Sequence, residues 1–351
     1  AGYLVQELLD LGHEVVGLDN FSKYGEIEKS YQSHPRYRFV RGDAKDVGLM
    51  KEILADADHF VAGAAMIGGI SYFHAFAYDL LAENERIVAA AFDGAIWAFR
   101  ERKLQKITVL SSSMVYENAT VFPTPEGHEQ HCPPPSSTYG FQKLACEYFA
   151  RGAWEQYQLP YTICRPFNCV GTGERRALTD HDVPSGNIQL AMSHVVPDLV
   201  QKILKGQDPL HVLGSGEQRR CYTYGGDLAK GIVAALFEPA AKNQDFNLST
   251  ATATTVTELA AAIWRHIHGA ERPLRLVHDD PYPYDVQVRV PDVTKARTVL
   301  DVETQIAERH WPIADRRDRD RTYNLKTRAD IRALAPGFPW DPMFDAAGLG
   351  G

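Results

Sequence analysis

The sequence contains no apolar run long enough to cross a lipid bilayer and no low-complexity tract. Its first residues also lack the basic stretch, apolar core and small-residue cleavage site of a secretory signal. We therefore predict no membrane association and expect a cytoplasmic location. The 351 residues, 44% hydrophobic and 23% charged, suffice for two lobes that each bury a core.

Cysteine is scarce, since the sequence has five, an odd number, and no C-x-x-C pair. This usage fits reduced thiols better than a disulfide framework. His128, His131 and Cys132 stand close together, but no second cluster supplies further metal ligands at a recognised spacing. We therefore predict no metal site.

Basic residues are outnumbered, because 37 Lys and Arg stand against 45 Asp and Glu, which gives a formal net charge of -8. This balance argues against a broad nucleic-acid-binding surface, and we predict no nucleic-acid partner. An anionic ligand would therefore have to be held by a few local arginines.

Short β-branched segments alternate with longer helical patterns through the first half of the sequence. The predicted strands are residues 13–19, 37–42, 59–64, 106–111 and 161–166. The predicted helices are residues 3–11, 80–102 and 143–157. Strands that alternate with helices indicate crossover connections and a parallel sheet covered on both faces. The predicted fold class is therefore α/β.

The order of the first elements points to a nucleotide-binding unit. In a dinucleotide-binding unit, a strand, a glycine-rich turn, a helix and a second strand with a terminal acidic residue follow one another. Here residues 3–11 are helical and Asp19 ends the next strand. We expect the first strand and the phosphate-cradling glycines to lie upstream, with Gly2 as the last glycine of the turn.

The pattern changes after Phe167, where a polar loop at residues 172–187 precedes further helical segments. These segments are residues 195–205, 256–268 and 290–300. Thr255 or Thr257 is a candidate cap for the second of them, and Asp292 stands at the start of the third.

The best candidates for catalysis are Tyr139 and Lys143, whose spacing places them on one face of a helix. A free tyrosine titrates at about pH 10, so it needs a neighbouring cation to act as a base at neutral pH. Upstream, residues 111–116 read SSSMVY at the end of a predicted strand. Ligands bind at such carboxyl ends, where a serine can hydrogen-bond a substrate hydroxyl.

Several further stretches follow one another in a recognisable order. In sequence they are VVGLDN, RGDAKD, SSSMVY, YGFQK, CRPFNCVGTGE, LGSGEQRRCYTYGGDLAKGI, DFNLST and QVRVPDVTKAR. Together they resemble the extended short-chain dehydrogenase/reductase family, the NAD-dependent sugar-nucleotide epimerases and dehydratases, from Gly2 to about Leu300.

This resemblance implies a Rossmann-type doubly wound parallel sheet with a smaller α+β substrate-binding lobe. The implied NAD-binding domain comprises residues 1–167 and about 224–262, and the nucleotide-sugar-binding lobe about 168–223 and 263–330. Residues 331–351 would form a peripheral tail.

The resemblance implies NAD as the cofactor. Asp19 matches the acidic residue that binds the adenosine ribose, and a carboxylate there repels the 2′-phosphate of NADP. Lys143 matches the residue that holds the nicotinamide ribose. The implied cofactor-binding positions are Gly2, Asp19, Asn20, Ser22, Lys23, Asp43, Ala44, Ala64, Ala65, Asn84, Tyr139, Lys143 and Pro166.

For the reaction, the resemblance implies Tyr139 as the base and Ser112 as the catalytic serine, together with Lys143. Arg220 and Arg289 match arginines that clamp phosphates, which suits the bidentate geometry of a guanidinium. The implied positions for a nucleotide-sugar substrate are Gly68, Gly69, Ser113, Asn168, His194, Arg220 and Arg289.

Family members first oxidise the sugar at C4 to a 4-keto sugar and then differ. A 4,6-dehydratase carries an Asp-Glu pair directly after its catalytic threonine, whereas this sequence has Ser113 and Met114. The decarboxylases carry Glu and the GDP-mannose 3,5-epimerases Cys at the position of Met114. The resemblance therefore implies C4 epimerisation of a nucleotide-activated hexose, with uridine expected as the base and GDP or TDP left open.

Two other kinds of protein stay open as alternatives. One is a net NAD-dependent oxidoreductase, such as a 4-ketoreductase, or a dehydratase; the other is an inactive family member. Family members also pair through two helices that match residues 80–102 and 143–157, so we expect a homodimer.

Overall fold

Parallel strands buried on both faces lie at the centre of the protein. A computed structural model describes residues 1–68, 75–171, 180–183, 186–189, 194–281 and 285–302. The strands in these ranges are β1 (Val15–Asp19), β2 (Tyr37–Arg41), β3 (His59–Ala62), β4 (Lys106–Leu110), β5 (Tyr161–Pro166), β6 (Cys169–Val170), β7 (Asp180–Val183), β8 (Gly186–Gln189), β9 (Leu210–Leu213), β10 (Arg219–Arg220), β11 (Thr223–Tyr224), β12 (Gln244–Leu248), β13 (Thr254–Thr255), β14 (Leu276–Asp279) and β15 (Val288–Arg289).

The α-helices connect these strands. In chain order they are α1 (Gly2–Asp10), α2 (Val47–Leu54), α3 (Ala77–Glu101), α4 (Thr138–Tyr157), α5 (Val195–Leu204), α6 (Gly225–Phe237), α7 (Val256–His268) and α8 (Thr294–Val299). Among the described helices, none combines the length and hydrophobicity of a membrane-spanning segment.

The central sheet has the strand order β12-β5-β4-β3, and all of its neighbours are parallel. Ile163 of β5 lies opposite Val109 of β4 on one side and Asp245 of β12 on the other. A separate parallel pair joins β1 and β2, with Val15 opposite Tyr37. The predicted α/β class with a parallel sheet is confirmed.

Helices cover both faces of this sheet. Successive side chains of a strand point to opposite faces, and Ile163 packs in one apolar cluster with α2, α3 and α4. Its neighbour Cys164 packs in another cluster with α6 and α8. This is the doubly wound arrangement that was expected.

A second apolar core joins α5, α7 and the parallel pair β9–β14. α7 begins with a capping box, in which the Thr255 hydroxyl accepts from the Glu258 N–H and the Glu258 carboxylate accepts from the Thr255 N–H. Leu259 and Ile263 are buried in this second core. The predicted boundary near residue 262 therefore falls inside a continuous helix that belongs to the second core as a whole.

Two helices begin four or five residues from their predicted starts. α4 begins at Thr138 rather than at residue 143, because the Ser137 hydroxyl caps it by accepting from the Gly140 N–H at 3.0 Å. α8 begins at Thr294 rather than at residue 290, because the carbonyl of Val290 and the N–H of Asp292 hydrogen-bond the Thr124 backbone instead. Gly69 and residues 303–351, with the predicted tail, lie outside the described residues.

Arg165 of β5 is fully buried, and its guanidinium is surrounded by carboxylates and a tyrosine hydroxyl. Its Nε and Nη2 donate to the two carboxylate oxygens of Glu147 at 2.8 and 2.7 Å. Its Nη1 donates to Asp245 at 2.7 Å and to the Tyr116 hydroxyl at 2.6 Å, and Glu129 lies 3.1 Å from Nη2. The guanidinium therefore joins α4, β5 and β12.

The same network reaches the ends of neighbouring elements. The Ser111 hydroxyl donates to Glu147 at 2.6 Å, and Lys295 Nζ lies 2.7 Å from Asp245. Burial alone would raise the pKa of the Asp245 carboxyl, but Arg165 and Lys295 outweigh burial and lower that pKa. The carboxylate is thus held charged between two cations, which ties α8 to the sheet.

We predict that Arg165→Met lowers the free energy of unfolding by about 3–5 kcal/mol, because it leaves buried carboxylates unpaired. Lys103→Met is the matched control, since its ion pair with Asp58 has side chains 54% and 55% exposed. That control should lose less than about 1 kcal/mol. Urea denaturation followed by circular dichroism measures both, and equal losses would contradict the prediction.

Candidate active site

A cavity of about 1680 Å3 opens at the carboxyl ends of the parallel strands. Its wall includes Asp19 at the end of β1 and residues that directly follow β3, β4 and β5. A pocket for one small ligand is typically about 300–1,000 Å3. The cavity therefore has room for two ligands side by side.

The serine-rich segment after β4 forms one part of the wall. Ser112 caps a short 3-10 helix, Ser113–Tyr116, and its Oγ accepts from the Met114 N–H at 3.2 Å. The hydroxyl of Ser112 keeps its own proton for donation to a ligand. Ser113 and Met114 are both buried, with 2% and 6% of their surface exposed.

Tyr139 and Lys143 line the same cavity from the first turns of α4. Lys143 Nζ donates to the Leu110 carbonyl at 3.0 Å, which ties the lysine to the end of β4. The same Nζ lies 6.0 Å from the centroid of the Tyr139 ring. The structure thus brings the predicted serine, tyrosine and lysine into one cavity wall.

The start of α4 is fixed by Glu117, which the sequence reasoning missed. Its Oε2 accepts from the N–H and the hydroxyl of Ser137 at 3.0 and 2.8 Å. Glu117 is buried and lines the cavity, and its position directly after SSSMVY was the available signal. Gly140 packs so closely on this segment that a Cβ would lie 2.8 Å from the Met114 carbonyl oxygen.

The loop after β3 is supported by Asn84 of α3. The Asn84 Oδ1 accepts from the Met66 N–H at 2.7 Å, and its Nδ2 donates to the Met66 carbonyl at 2.9 Å. Ala65 and Gly68 of this loop line the cavity. Asn84 does not line the cavity, because the oxygen and the nitrogen of its side-chain amide both hydrogen-bond the loop backbone. A direct contact between Asn84 and the cofactor stays a prediction.

Asp19 also lines the cavity. Its Oδ1 accepts from the Phe21 N–H at 2.8 Å, which shapes the turn after β1. Nearby, Asn20 accepts from the Ser22 N–H at 3.0 Å, so these two predicted residues stabilise the turn. They do not line the cavity.

The structure places the predicted residues as follows. Those that line the cavity are Gly2, Asp19, Lys23, Ala65, Gly68, Ser112, Ser113, Tyr139, Lys143, Pro166, Asn168, His194, Arg220 and Arg289. Those outside its lining are Asn20, Ser22, Asp43, Ala44, Ala64 and Asn84. Contacts of either group with a ligand stay predictions.

Two arginines, Arg220 and Arg289, line the same cavity. Arg289 Nη1 donates to the Ser113 hydroxyl at 3.3 Å, and its Nε has no hydrogen-bond partner among the described residues. Burial lowers the pKa of Arg289 to about 9, and the charge of Arg220 acts in the same direction. Arg220 lies 3.4 Å from Asp285. An anion bound here would compensate the crowded positive charge.

The chain as a whole is similar to known enzymes. The profile of the NAD dependent epimerase/dehydratase family matches residues 1–249. The chain is 26% identical over 299 residues to a putative UDP-glucose 4-epimerase of Methanocaldococcus jannaschii, a match that covers 85% of this chain and 88% of that protein.

Solved structures show the same fold. A UDP-glucose 4-epimerase of Thermotoga maritima with UDP-glucose is 24% identical, with 86% and 88% of the two chains covered and a TM-score of 0.67. A dTDP-glucose 4,6-dehydratase of Streptomyces venezuelae with NAD bound is 20% identical, with 88% and 89% covered and a TM-score of 0.72.

A second profile, that of peptidase family M13, matches residues 248–351, which is less than half of the chain. Residues 303–351 of this segment lie outside the described residues. Within the described part of the chain, no group of three or more His, Cys, Asp or Glu side chains is arranged to hold a metal ion. The match to residues 248–351 supports no activity for this chain.

We predict that Gly140→Ala destabilises the protein by about 1–3 kcal/mol, because the added methyl overpacks the start of α4. Gly152 in the same helix is the matched control, since a Cβ there meets no described atom within 4 Å. Gly152→Ala should stabilise the protein by about 0.5–1 kcal/mol. Urea denaturation of both variants tests this, and a Gly140→Ala protein as stable as Gly152→Ala would refute it.

Proposed function

The chain belongs to the NAD-dependent epimerase/dehydratase family, and we propose that it epimerises a nucleotide-activated hexose, a UDP-sugar, at C4. One observation carries this proposal: Ser112, Tyr139 and Lys143 share a cavity with Arg220 and Arg289. The first three can deprotonate a sugar hydroxyl, and the two arginines can hold a diphosphate. The similarity to a putative UDP-glucose 4-epimerase supports the choice of reaction.

The residues around the cavity fit NAD. Asp19 would hold the adenosine ribose, because its Oδ1 is used by the Phe21 N–H while Oδ2 can accept from a ribose hydroxyl. Lys143 would hold the nicotinamide ribose, and Ala65 would lie beneath the dinucleotide. The chemistry that bound NAD supplies is reversible hydride transfer at C4 of the sugar.

Tyr139 moves the proton of the reaction. As the phenolate it takes the proton of the sugar 4-hydroxyl, while Ser112 donates a hydrogen bond to the same oxygen. The positive charge of Lys143, 6.0 Å from the ring centroid, stabilises the phenolate. After the 4-keto sugar has turned its other face, Tyr139 returns the proton to O4. No proton is gained or lost, so no further acid or base is needed.

The segment after Ser112 favours epimerisation over dehydration. Ser113 accepts a hydrogen bond from Arg289, and Met114 is buried as packing. Neither side chain is an acid that could protonate a leaving hydroxyl at C6.

Glu117 makes 4,6-dehydration the second candidate. It lines the cavity, and its Oε1 has no hydrogen-bond partner among the described residues. A carboxyl group in this place could assist the loss of a hydroxyl. The bonds from Ser137 to Oε2 instead give Glu117 a role at the start of α4, which is why we place epimerisation first.

We predict that Tyr139→Phe slows C4 epimerisation about 100- to 10,000-fold, the usual contribution of a general base. The control Tyr148→Phe removes a hydroxyl from the same helix at a side chain that is 60% exposed, and it should keep the wild-type rate. NMR of UDP-, GDP- and TDP-hexoses, without added NAD, follows the two C4 epimers. A 4-keto-6-deoxy product would instead establish the dehydratase, and absence of turnover would refute both.

We also propose that two copies of the chain pair through α3 and α4. The exposed aromatic side chains of these helices are Tyr78, Phe141 and Tyr148, which are 68%, 49% and 60% exposed. Aromatic residues are enriched in protein interfaces. A symmetric dimer would bury these three side chains from each of the two copies.

We predict a sedimentation mass of about twice the 39.2 kDa of one chain. Tyr148→Arg should shift the protein towards the monomer, because it introduces a charge into the apolar interface. Val121→Arg, at an exposed residue outside both helices, is the control and should stay dimeric. A wild-type protein that sediments only as a monomer would exclude the dimer.

A further inference from the structure

Glu117 is a buried carboxylate whose described side-chain hydrogen bonds go to a single residue at the start of α4. Only 8% of Glu117 is exposed. Its Oε2 accepts from both the N–H and the hydroxyl of Ser137, at 3.0 and 2.8 Å. Its Oε1 has no hydrogen-bond partner among the residues that the structure describes. The contact with Ser137 is therefore the one to explain.

Ser137 carries this contact into the first turn of the helix. Its hydroxyl donates to Glu117 and at the same time accepts from the Gly140 N–H at 3.0 Å. A hydroxyl that donates to a carboxylate is polarised and becomes a better acceptor, so the two bonds strengthen each other. Tyr139 lies between the two residues, Ser137 and Gly140, that this chain of bonds connects.

The later turns of α4 are held by other contacts. Lys143 donates to the Leu110 carbonyl at 3.0 Å, and the carboxylate of Glu147 binds the Arg165 guanidinium at 2.7 and 2.8 Å. These contacts would survive the loss of the bonds from Ser137 to its carboxylate. Such a loss would therefore loosen the turn that carries the tyrosine, while the lysine one turn later stays in place.

We propose that Glu117 is a positioning residue for Tyr139. Through Ser137 it holds the first turn of α4, so that the phenol stays aligned with Lys143 and Ser112. In this role the carboxylate only accepts hydrogen bonds and exchanges no proton with the substrate, unlike the acid that dehydration would require. The inference rests on the proposed function, in which Tyr139 is the base.

The first test measures kcat and KM with UDP-, GDP- and TDP-hexoses. Glu117→Ala should lower kcat about 100-fold, the cost of misplacing a catalytic group by about 1 Å. KM should stay unchanged, because Arg220 and Arg289 are not touched. In Glu117→Gln the amide oxygen can still accept both donors, so most of the wild-type kcat should return. Glu155→Ala, which removes an exposed carboxylate from the same helix, is the control and should change neither constant.

Ser137→Ala tests the route and serves as the second variant if Glu117→Ala does not fold. It removes the hydroxyl that links the carboxylate to Gly140, so kcat should fall while KM stays unchanged. The double variant Glu117→Ala/Ser137→Ala should lose no more than the worse of the two single variants, because both act through one chain of bonds. Losses that multiply would overturn the inference.

Amide hydrogen exchange without substrate provides a readout that does not need turnover. In Glu117→Ala the amides of residues 137–143 should exchange about tenfold faster, because bonds to a charged group are lost. Residues 147–153 of the same helix should exchange as in the wild type, and so should both segments in Glu117→Gln. Unchanged exchange of residues 137–143 in Glu117→Ala would overturn the inference.

The outcomes separate this inference from the proposed function. If Glu117→Ala forms C4 epimers at the wild-type rate, the epimerase stands and the inference falls. If Glu117→Gln is as slow as Glu117→Ala, the charge or a proton is required and the inference falls; a 4-keto-6-deoxy product would then remove the epimerase as well. If no sugar nucleotide is converted but exchange rises in Glu117→Ala alone, the epimerase falls and the hold of Glu117 on the turn of Tyr139 stands.

Discussion

A buried guanidinium is stable only where carboxylates surround it, and Arg165 imposes this condition on the centre of the protein. Glu147, its bidentate partner, lies one turn after Lys143 on α4 and also accepts from Ser111 at the end of β4. One carboxylate therefore sets the position of the helix that carries the tyrosine and of the segment that carries the serine. The charge of Arg165 is neutralised only when β4, β5, β12 and α4 are all in register.

Polar groups around the cavity are satisfied to different degrees. Asn84 is satisfied by the Met66 backbone, and one carboxylate oxygen of Glu117 by Ser137, whereas its other oxygen has no described partner. Arg289 and Tyr222 bury donors without a described partner. Such groups cost stability in the free protein and are typical of binding sites, where the ligand supplies the missing acceptors.

Much of the fold was predictable because it depends on local patterns. The sequence pattern marked β5 at residues 161–166 and α7 at 256–268, and Thr255, which caps α7, was one of two candidate caps. The errors lie at ends where tertiary contacts decide. α4 starts early because Glu117, distant along the chain, holds Ser137, and α8 starts late because the backbone of Val290 and Asp292 hydrogen-bonds Thr124. Neither of these contacting residues lies in the short stretch of sequence from which the helix start was predicted.

The candidate site divides in the same way. Tyr139 and Lys143 could be paired from the sequence, since one helical turn brings residues four apart onto one face. Their meeting with Arg289 was decided by the tertiary structure, because the Arg289–Ser113 contact joins residues 176 positions apart. Family resemblance identified both arginines, but the orphaned hydroxyl of Tyr222 has no signature in the sequence. Whether a buried polar atom finds a partner depends on every element packed around it, and only the folded chain determines that.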